Sequence, residues 1–498
     1  MSPRTTAEKA PTLFQNTLKI RLLLLLLTPI FLAACGAGEA AESTRPTLEP
    51  CTLNGDVDAN CGTISVPENR DEPNGRMIDI YFAVIPAQNT AVSDPIFMLA
   101  GGPGQAATEV YPFVINRFSS LNQTRDIVLV DQRGTGQSNP LACPAIQELP
   151  LDADGEMVRQ TLDECRQTLM ETADLTQYVT EIAMQDLDAV RSALGYEQIN
   201  LMGVSYGTRA AQTYMRLFPQ HTRTVVMDAV VSPSLVLQLQ SPADGQRALE
   251  LLFARCAADE ACAERFPAFA DEFDQLVAGL QTEKEVALTH PVTGERLDLT
   301  LTDDELMQVM FNLLYSPDLT SLLPLLVEGA VDTADYTPLI AQALALTGGQ
   351  QMYQGMFYAV TCSEDAPRID AEEAAAIQAE TQFPLVSADF TAVCEDWPTT
   401  AVSEQMFAPL TSDIPTLLLS GEADPITPPY YADEVAETLT DKQHIVLDGY
   451  GHGILSVGCV PTIVTDFVEA GTAVDLDTTC TAEITPPPFF ISPVGPRP

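Results

Sequence analysis

Positive charge is scarce in this chain: 24 lysines and arginines stand against 69 aspartates and glutamates, a formal net charge of −45. So few basic side chains argue against binding nucleic acid or an anionic membrane face, because both need basic patches. The acidic excess suits either a solvated surface or a field that attracts cations, such as peptides with a free amino terminus. Histidine is rarer still, at four residues, and no Cys-x-x-Cys is present. A structural metal cluster is therefore not expected, and no cofactor is called for. Internal repeats are missing as well. What remains is 498 residues, 46% hydrophobic and 19% charged, which suits a folded enzyme with room for more than one structural unit.

The first 35 residues have their own pattern. Arg4, Lys9, Lys19 and Arg21 precede an apolar run from Leu22 to Leu27 that continues through Ile30-Phe31-Leu32. A short apolar run behind a basic flank reads as an export signal, too short for an ordinary membrane span. It ends in Leu32-Ala33-Ala34-Cys35-Gly36, which resembles the lipobox of bacterial lipoproteins and makes Cys35 the candidate lipidation site. The alternatives are an ordinary cleaved signal or an uncleaved anchor, with Cys35 incidental. On the lipobox reading the chain is exported and meets the bacterial cell envelope through a lipid anchor alone. Residues 36–61 follow as tether and N-terminal segment. Setting Cys35 aside leaves ten of eleven cysteines, an even number that fits an oxidising compartment. Ten cysteines allow about 945 pairings. Neighbour order suggests one set: Cys51–Cys61, Cys143–Cys165, Cys256–Cys262, Cys362–Cys394 and Cys459–Cys480.

Short apolar runs organise the rest. Thr63-Ile-Ser-Val-Pro67 and Met77–Ile85 flank a Pro/Asn/Gly turn and suggest an antiparallel hairpin. Ile96–Leu99, Ile127–Val130, Ile199–Met202, Val225–Met227, Thr416–Leu419 and Ile445–Leu447 have the look of buried parallel strands. Helical spacing from Met184 to Leu194, just before one of these runs, gives a βαβ arrangement. The expected fold is α/β: a mostly parallel sheet, with a core over 62–232 and 395–482. Between them, 233–394 reads as a helical cap inserted between the sixth and seventh core strands, with few strand candidates. Residues 483–498 form a proline-rich, extended tail.

Gly203-Val204-Ser205-Tyr206-Gly207 follows one strand and precedes a helical pattern from Thr208 to Leu217. A serine on such a sharp turn projects its hydroxyl above the sheet, and flanking glycines make room for the turn. The five-residue pattern also arises by chance; its strand–turn–helix setting makes Ser205 the candidate nucleophile. Partners are expected in the order serine, acid, histidine, each after a core strand. His452, in Gly451-His452-Gly453, is the candidate base. Asp424, in Gly421-Glu422-Ala423-Asp424-Pro425, is the candidate acid, in competition with Glu422 and Asp448 or with a plain helix-capping role. An oxyanion hole requires two N–H donors: Tyr206, next to the nucleophile, and Gly102 in Ala100-Gly101-Gly102-Pro103-Gly104. The alternative for the glycine loop is a tight turn.

These segments resemble the proline iminopeptidase and tripeptidyl-aminopeptidase-like serine peptidases among the α/β hydrolases. Gly101-Gly102-Pro103-Gly104 matches their His-Gly-Gly-Pro-Gly, with Ala100 replacing the histidine, and Asp131-Gln132-Arg133-Gly134-Thr135-Gly136-Gln137-Ser138 matches a second signature. The likeness runs from about Gly62 to Cys480, and from Cys394 onward it follows the tripeptidyl-aminopeptidase-like part. It implies an α/β-hydrolase fold and an exopeptidase that removes N-terminal residues, such as proline or short peptides, through an acyl-enzyme. It also implies cap carboxylates that hold the substrate's free α-amino group. Glu364, with Asp365 beside it, is the candidate; the alternative is a solvated acidic pair. Arg133 is expected to brace the site through Asp131 or backbone carbonyls. An esterase of small acyl esters and a non-catalytic surface-binding lipoprotein remain as other readings.

Overall fold

Eleven strands and the helices between them are seen in a computed structural model that describes residues 45–149, 153, 155–347, 352–384 and 387–496. The expected signal segment, Cys35 and the start of the tether lie outside the described residues. The strands are β1 (Glu49–Leu53), β2 (Val57–Pro67), β3 (Met77–Ile85), β4 (Ile96–Leu99), β5 (Ile127–Val130), β6 (Ile199–Val204), β7 (Thr222–Asp228), β8 (Lys284–Thr289), β9 (Arg296–Leu301), β10 (Thr416–Gly421) and β11 (Lys442–Leu447). Nine of them form one sheet in the order β1-β2-β3-β5-β4-β6-β7-β10-β11. From β5 to β11 all neighbours are parallel. The β1–β2, β2–β3 and β3–β5 pairs are antiparallel.

The parallel strands are apolar throughout because both faces are covered. In β4, Ile96 and Met98 pack in one core while Phe97 and Leu99 pack in the opposite one. The same alternation splits Ile127 and Leu129 from Val128 and Val130 in β5. This is the period of two that any strand imposes on its side chains. β1 was not expected. Residues 49–61 read as tether and N-terminal segment from composition, yet they pair as an edge hairpin closed by the Cys51–Cys61 disulfide.

Between β7 and β10 the chain is mostly helical and has its own apolar core. Leu249, Phe273, Met310, Leu313 and Leu339 are among its buried members. The helix Asp303–Leu314 begins with a full capping box, Thr302 with Glu305. One correction applies to this region: β8 and β9 form an antiparallel hairpin. Their alternating pattern (Lys284-Glu-Val-Ala-Leu-Thr289) is short, exposed on one face and easily lost among helices. Five disulfides join the cysteines in neighbour order, as suits an oxidising compartment. No helix among the described residues is long and apolar enough to cross a membrane.

Candidate active site

β6 delivers Ser205 directly into the helix Tyr206–Leu217. Ser205 has φ 57° and ψ −126°, a strained conformation for a non-glycine residue, of the kind that concentrates at functional sites. The flanking glycines are required by packing. A Cβ on Gly203 would lie 2.4 Å from the Gly207 carbonyl oxygen, and one on Gly207 would lie 2.3 Å from that of Leu99. The turn is also pinned from the next strand, where Asp228 O accepts from the Ser205 N–H at 2.9 Å.

His452 lies beyond the end of β11 and Asp424 beyond the end of β10, at the carboxyl ends of neighbouring strands. His452 Nδ1 is 2.9 Å from Asp424 Oδ2 and 3.1 Å from Oδ1. Asp424 is fully buried and also accepts from Ile426 N, Thr427 N and Thr427 Oγ1 at 2.8–3.0 Å. Burial pushes the Asp424 carboxyl upward, but the His452 charge and these hydrogen bonds outweigh it and hold it below the ordinary carboxylate range. Burial pulls the His452 imidazole down, and the charges of Asp424 and Asp228 with the Asp424 hydrogen bond bring it above its ordinary value. Of the three acids weighed from sequence, Glu422 instead accepts from Gly449 N. Asp448 lines a different, smaller cavity.

Ser205 and His452 line one cavity of about 640 Å³ together with Ala100, Gly101 and Gly102. Leu237, Tyr315 and Phe357 roof it from the region between β7 and β10. Its volume falls within the range of small-molecule sites. Gly101 packs so closely that a Cβ there would come within 3.3 Å of the Ser205 Cβ. Tyr206 is the first residue of its helix, so its N–H has no intrahelical acceptor. With Nδ1 engaged by Asp424, the imidazole keeps Nε2 for proton exchange. A hydroxyl and an imidazole share one cavity, with the first N–H of the following helix next in sequence to the hydroxyl, and these are parts that acyl transfer uses.

Two expectations need correction. Glu364 and Asp365 are fully buried, and neither lines the Ser205 cavity. Asp365 pairs in bidentate fashion with Arg209 on the helix after Ser205, at 2.8 and 2.9 Å. Glu364 accepts from Thr180 N at 2.8 Å and Thr180 Oγ1 at 3.0 Å, with Arg209 Nη1 3.5 Å away. Burial pushes its carboxyl up to about 7 against these stabilising contacts. Both carboxylates are thus committed to interior partners, which removes them as ligands for a substrate ammonium. Arg133 braces the core through backbone carbonyls, those of Glu68 and Gln177, as expected, and its carboxylate partner is Asp186, at 2.6 and 2.9 Å, rather than Asp131. Asp131 instead accepts from Thr108 and from Gln137 N.

Two residues of the site escaped the sequence reading. Asp228, fully buried at the end of β7, accepts from the N–H groups of Ile454 and Leu455 at 2.8–3.0 Å, just past His452. An acid at the end of an apolar strand run was the available signal. Tyr315 accepts the His452 N–H on its carbonyl at 3.0 Å, and its ring stands edge-on to the imidazole at 5.0 Å. Nothing local in the sequence marks Tyr315, since the contact joins the roof of the cavity to a distant loop.

A family model described as alpha/beta hydrolase fold matches residues 94–317, and one described as TAP-like protein matches residues 384–480. The chain is 26% identical to the Serine protease Hip1 of Mycobacterium tuberculosis over 83% of this chain and 86% of that protein. It is 32% identical to the Tripeptidyl aminopeptidase of Streptomyces lividans over 35% of this chain and 36% of that one. Carboxylesterase B of Mycobacterium tuberculosis is 27% identical over 83% and 85%. Sheet topology and the matches agree: the chain has the α/β-hydrolase fold and is a serine hydrolase.

Proposed function

We propose that this protein is a serine aminopeptidase that releases N-terminal residues or short peptides through an acyl-enzyme, with Ser205, His452 and Asp424 as its triad. One observation carries the reading: Ser205, on its strained turn, shares a roofed cavity with a histidine bound to a buried aspartate. His452 Nε2 takes the Ser205 hydroxyl proton as Oγ bonds to the scissile carbonyl carbon. The resulting oxyanion is received by the N–H groups of Tyr206 and Gly102. His452 then returns the proton to the leaving amine as the C–N bond breaks, and a water deprotonated by His452 hydrolyses the ester. Asp424 holds Nδ1–H and stabilises the imidazolium. A roof over the nucleophile favours chain ends over mid-chain loops, and the large negative charge favours an ammonium-bearing substrate. The serine protease and tripeptidyl aminopeptidase relatives support the peptidase reading. Export with a lipid on Cys35 completes the proposal, supported by the signal-like N-terminus and the disulfides.

An esterase is the second reading, favoured by the apolar lining that Val110, Val114, Phe118 and Leu455 give the cavity. Aminoacyl and tripeptidyl arylamides, their N-blocked forms and short-chain esters separate the two. Free-amine arylamides should be cleaved at least tenfold better than blocked ones. Turnover of esters with none of the arylamides would leave the esterase. Ser205→Ala should lower every activity by about 10⁴-fold or more while the fold is retained. Undiminished turnover in that variant removes Ser205 as nucleophile.

A further inference from the structure

Beneath the nucleophile turn, three helix ends meet at one buried cluster. Tyr206 begins the helix that follows Ser205, Thr180 begins the helix Thr180–Leu194, and Glu364 ends the helix Gln354–Glu364. Thr180 Oγ1 lies 2.7 Å from Tyr206 OH and 3.0 Å from Glu364 Oε2. Tyr206, Thr180 and Glu364 are all buried. In its ionised form Glu364 only accepts, so Thr180 Oγ1–H donates to it, and the threonine oxygen accepts in turn from Tyr206 O–H. The carboxylate also takes the Thr180 N–H at the start of its helix, where negative charge is favoured. In that form the chain of bonds has one direction: phenol to threonine to glutamate.

We propose that Glu364 and Thr180 are positioning residues that hold the Tyr206 phenol and thereby aim the Tyr206 N–H at the oxyanion formed on Ser205. This deepens the proposed function and rests on its assignment of Tyr206 as an oxyanion donor. The Ser205–Tyr206 peptide is tied on its carbonyl side, where Ser205 O accepts from Thr208 N at 2.8 Å and from Thr208 Oγ1 at 2.7 Å, and the phenol anchor is the second constraint, on the Tyr206 side. Arg209, one turn further along the same helix, is clamped by Asp365 and holds the helix axis while the Thr180 link holds its first residue. The cap-side helix Gln354–Glu364 thus connects to catalysis without touching substrate. A donor moved by a fraction of an ångström weakens the transition state more than the bound substrate.

Tyr206→Phe and Thr180→Val each remove one hydroxyl from the chain and little volume. With whichever substrate the wild type turns over, ester or arylamide, both should lose about 10–100-fold in kcat with KM within about twofold. Affinity for a boronic-acid analogue of the tetrahedral intermediate should fall by the same factor as kcat/KM. Glu364→Gln, whose single amide oxygen can keep one of the two Thr180 bonds, should lose less than Thr180→Val. Wild-type kcat in both hydroxyl variants overturns the proposal, as does a loss of kcat without a matching loss of boronate affinity. Ser205→Ala reads the nucleophile assignment separately, so failure there is not confused with failure here.

Discussion

The His452–Asp424 pair sets how the site should respond to pH. His452 sits above its ordinary value chiefly through Asp424, so the neutral imidazole needed as base is reached only above the usual histidine midpoint of about 6.5. The acid limb of the kcat/KM profile should therefore lie above that value. Asp424→Asn should lower kcat/KM by about 10³–10⁴-fold, as loss of the tautomer-holding carboxylate does in serine hydrolases of this logic, and should shift the residual limb to lower pH. A limb that stays in place would detach Asp424 from His452. Stability follows the opposite sense for the aspartate. Its folded value is depressed, so its contribution is full above the unfolded carboxylate value and is lost as pH falls through the folded one.

At the scale of elements, the C-terminal tail acts as a strap across the helical region between β7 and β10 and the histidine loop. Phe489 is buried in the apolar core of that region, and the Arg255 guanidinium lies 4.2 Å from its ring centroid. Phe490 N donates to Ser321 O, while Thr485 O accepts from Tyr450, two residues before His452. The proline-rich composition led to an extended tail, and its docking partners came only with the fold. Phe489→Ala should destabilise the protein by about 3 kcal/mol, the usual cost of emptying a buried aromatic site. A urea titration should show the midpoint falling; an unchanged midpoint would mean the strap is not anchored through Phe489. The elements themselves were largely legible, because buried parallel strands are apolar on both faces and the helices around them repeat at their own period. β1 and the β8–β9 hairpin were not, because short strands with one solvent-facing side carry little apolar signal.

For the whole molecule, the imbalance of 69 acidic against 24 basic residues means that like charges repel across the folded surface. Salt screens such repulsion, with a Debye length of about 10 Å at 0.1 M. The melting temperature should rise between about 10 mM and 500 mM sodium chloride. A flat or falling curve would show that the charges are already locally compensated. The sequence by itself marked the sheet-forming runs and put Ser205 and His452 forward as candidates, because each lies in a local pattern: an apolar period, a glycine-flanked turn, a residue just past a strand; for the cysteines it suggested one pairing among many. Tertiary structure alone decided which acid faces His452, since Glu422, Asp424 and Asp448 share similar loops and differ only in where those loops fold. It also decided that Glu364 and Asp365 turn inward. The family resemblance makes them an amine site, but Arg209, far away in sequence, reaches them first, and a buried carboxylate is held by whichever partner the packing brings within hydrogen-bond distance.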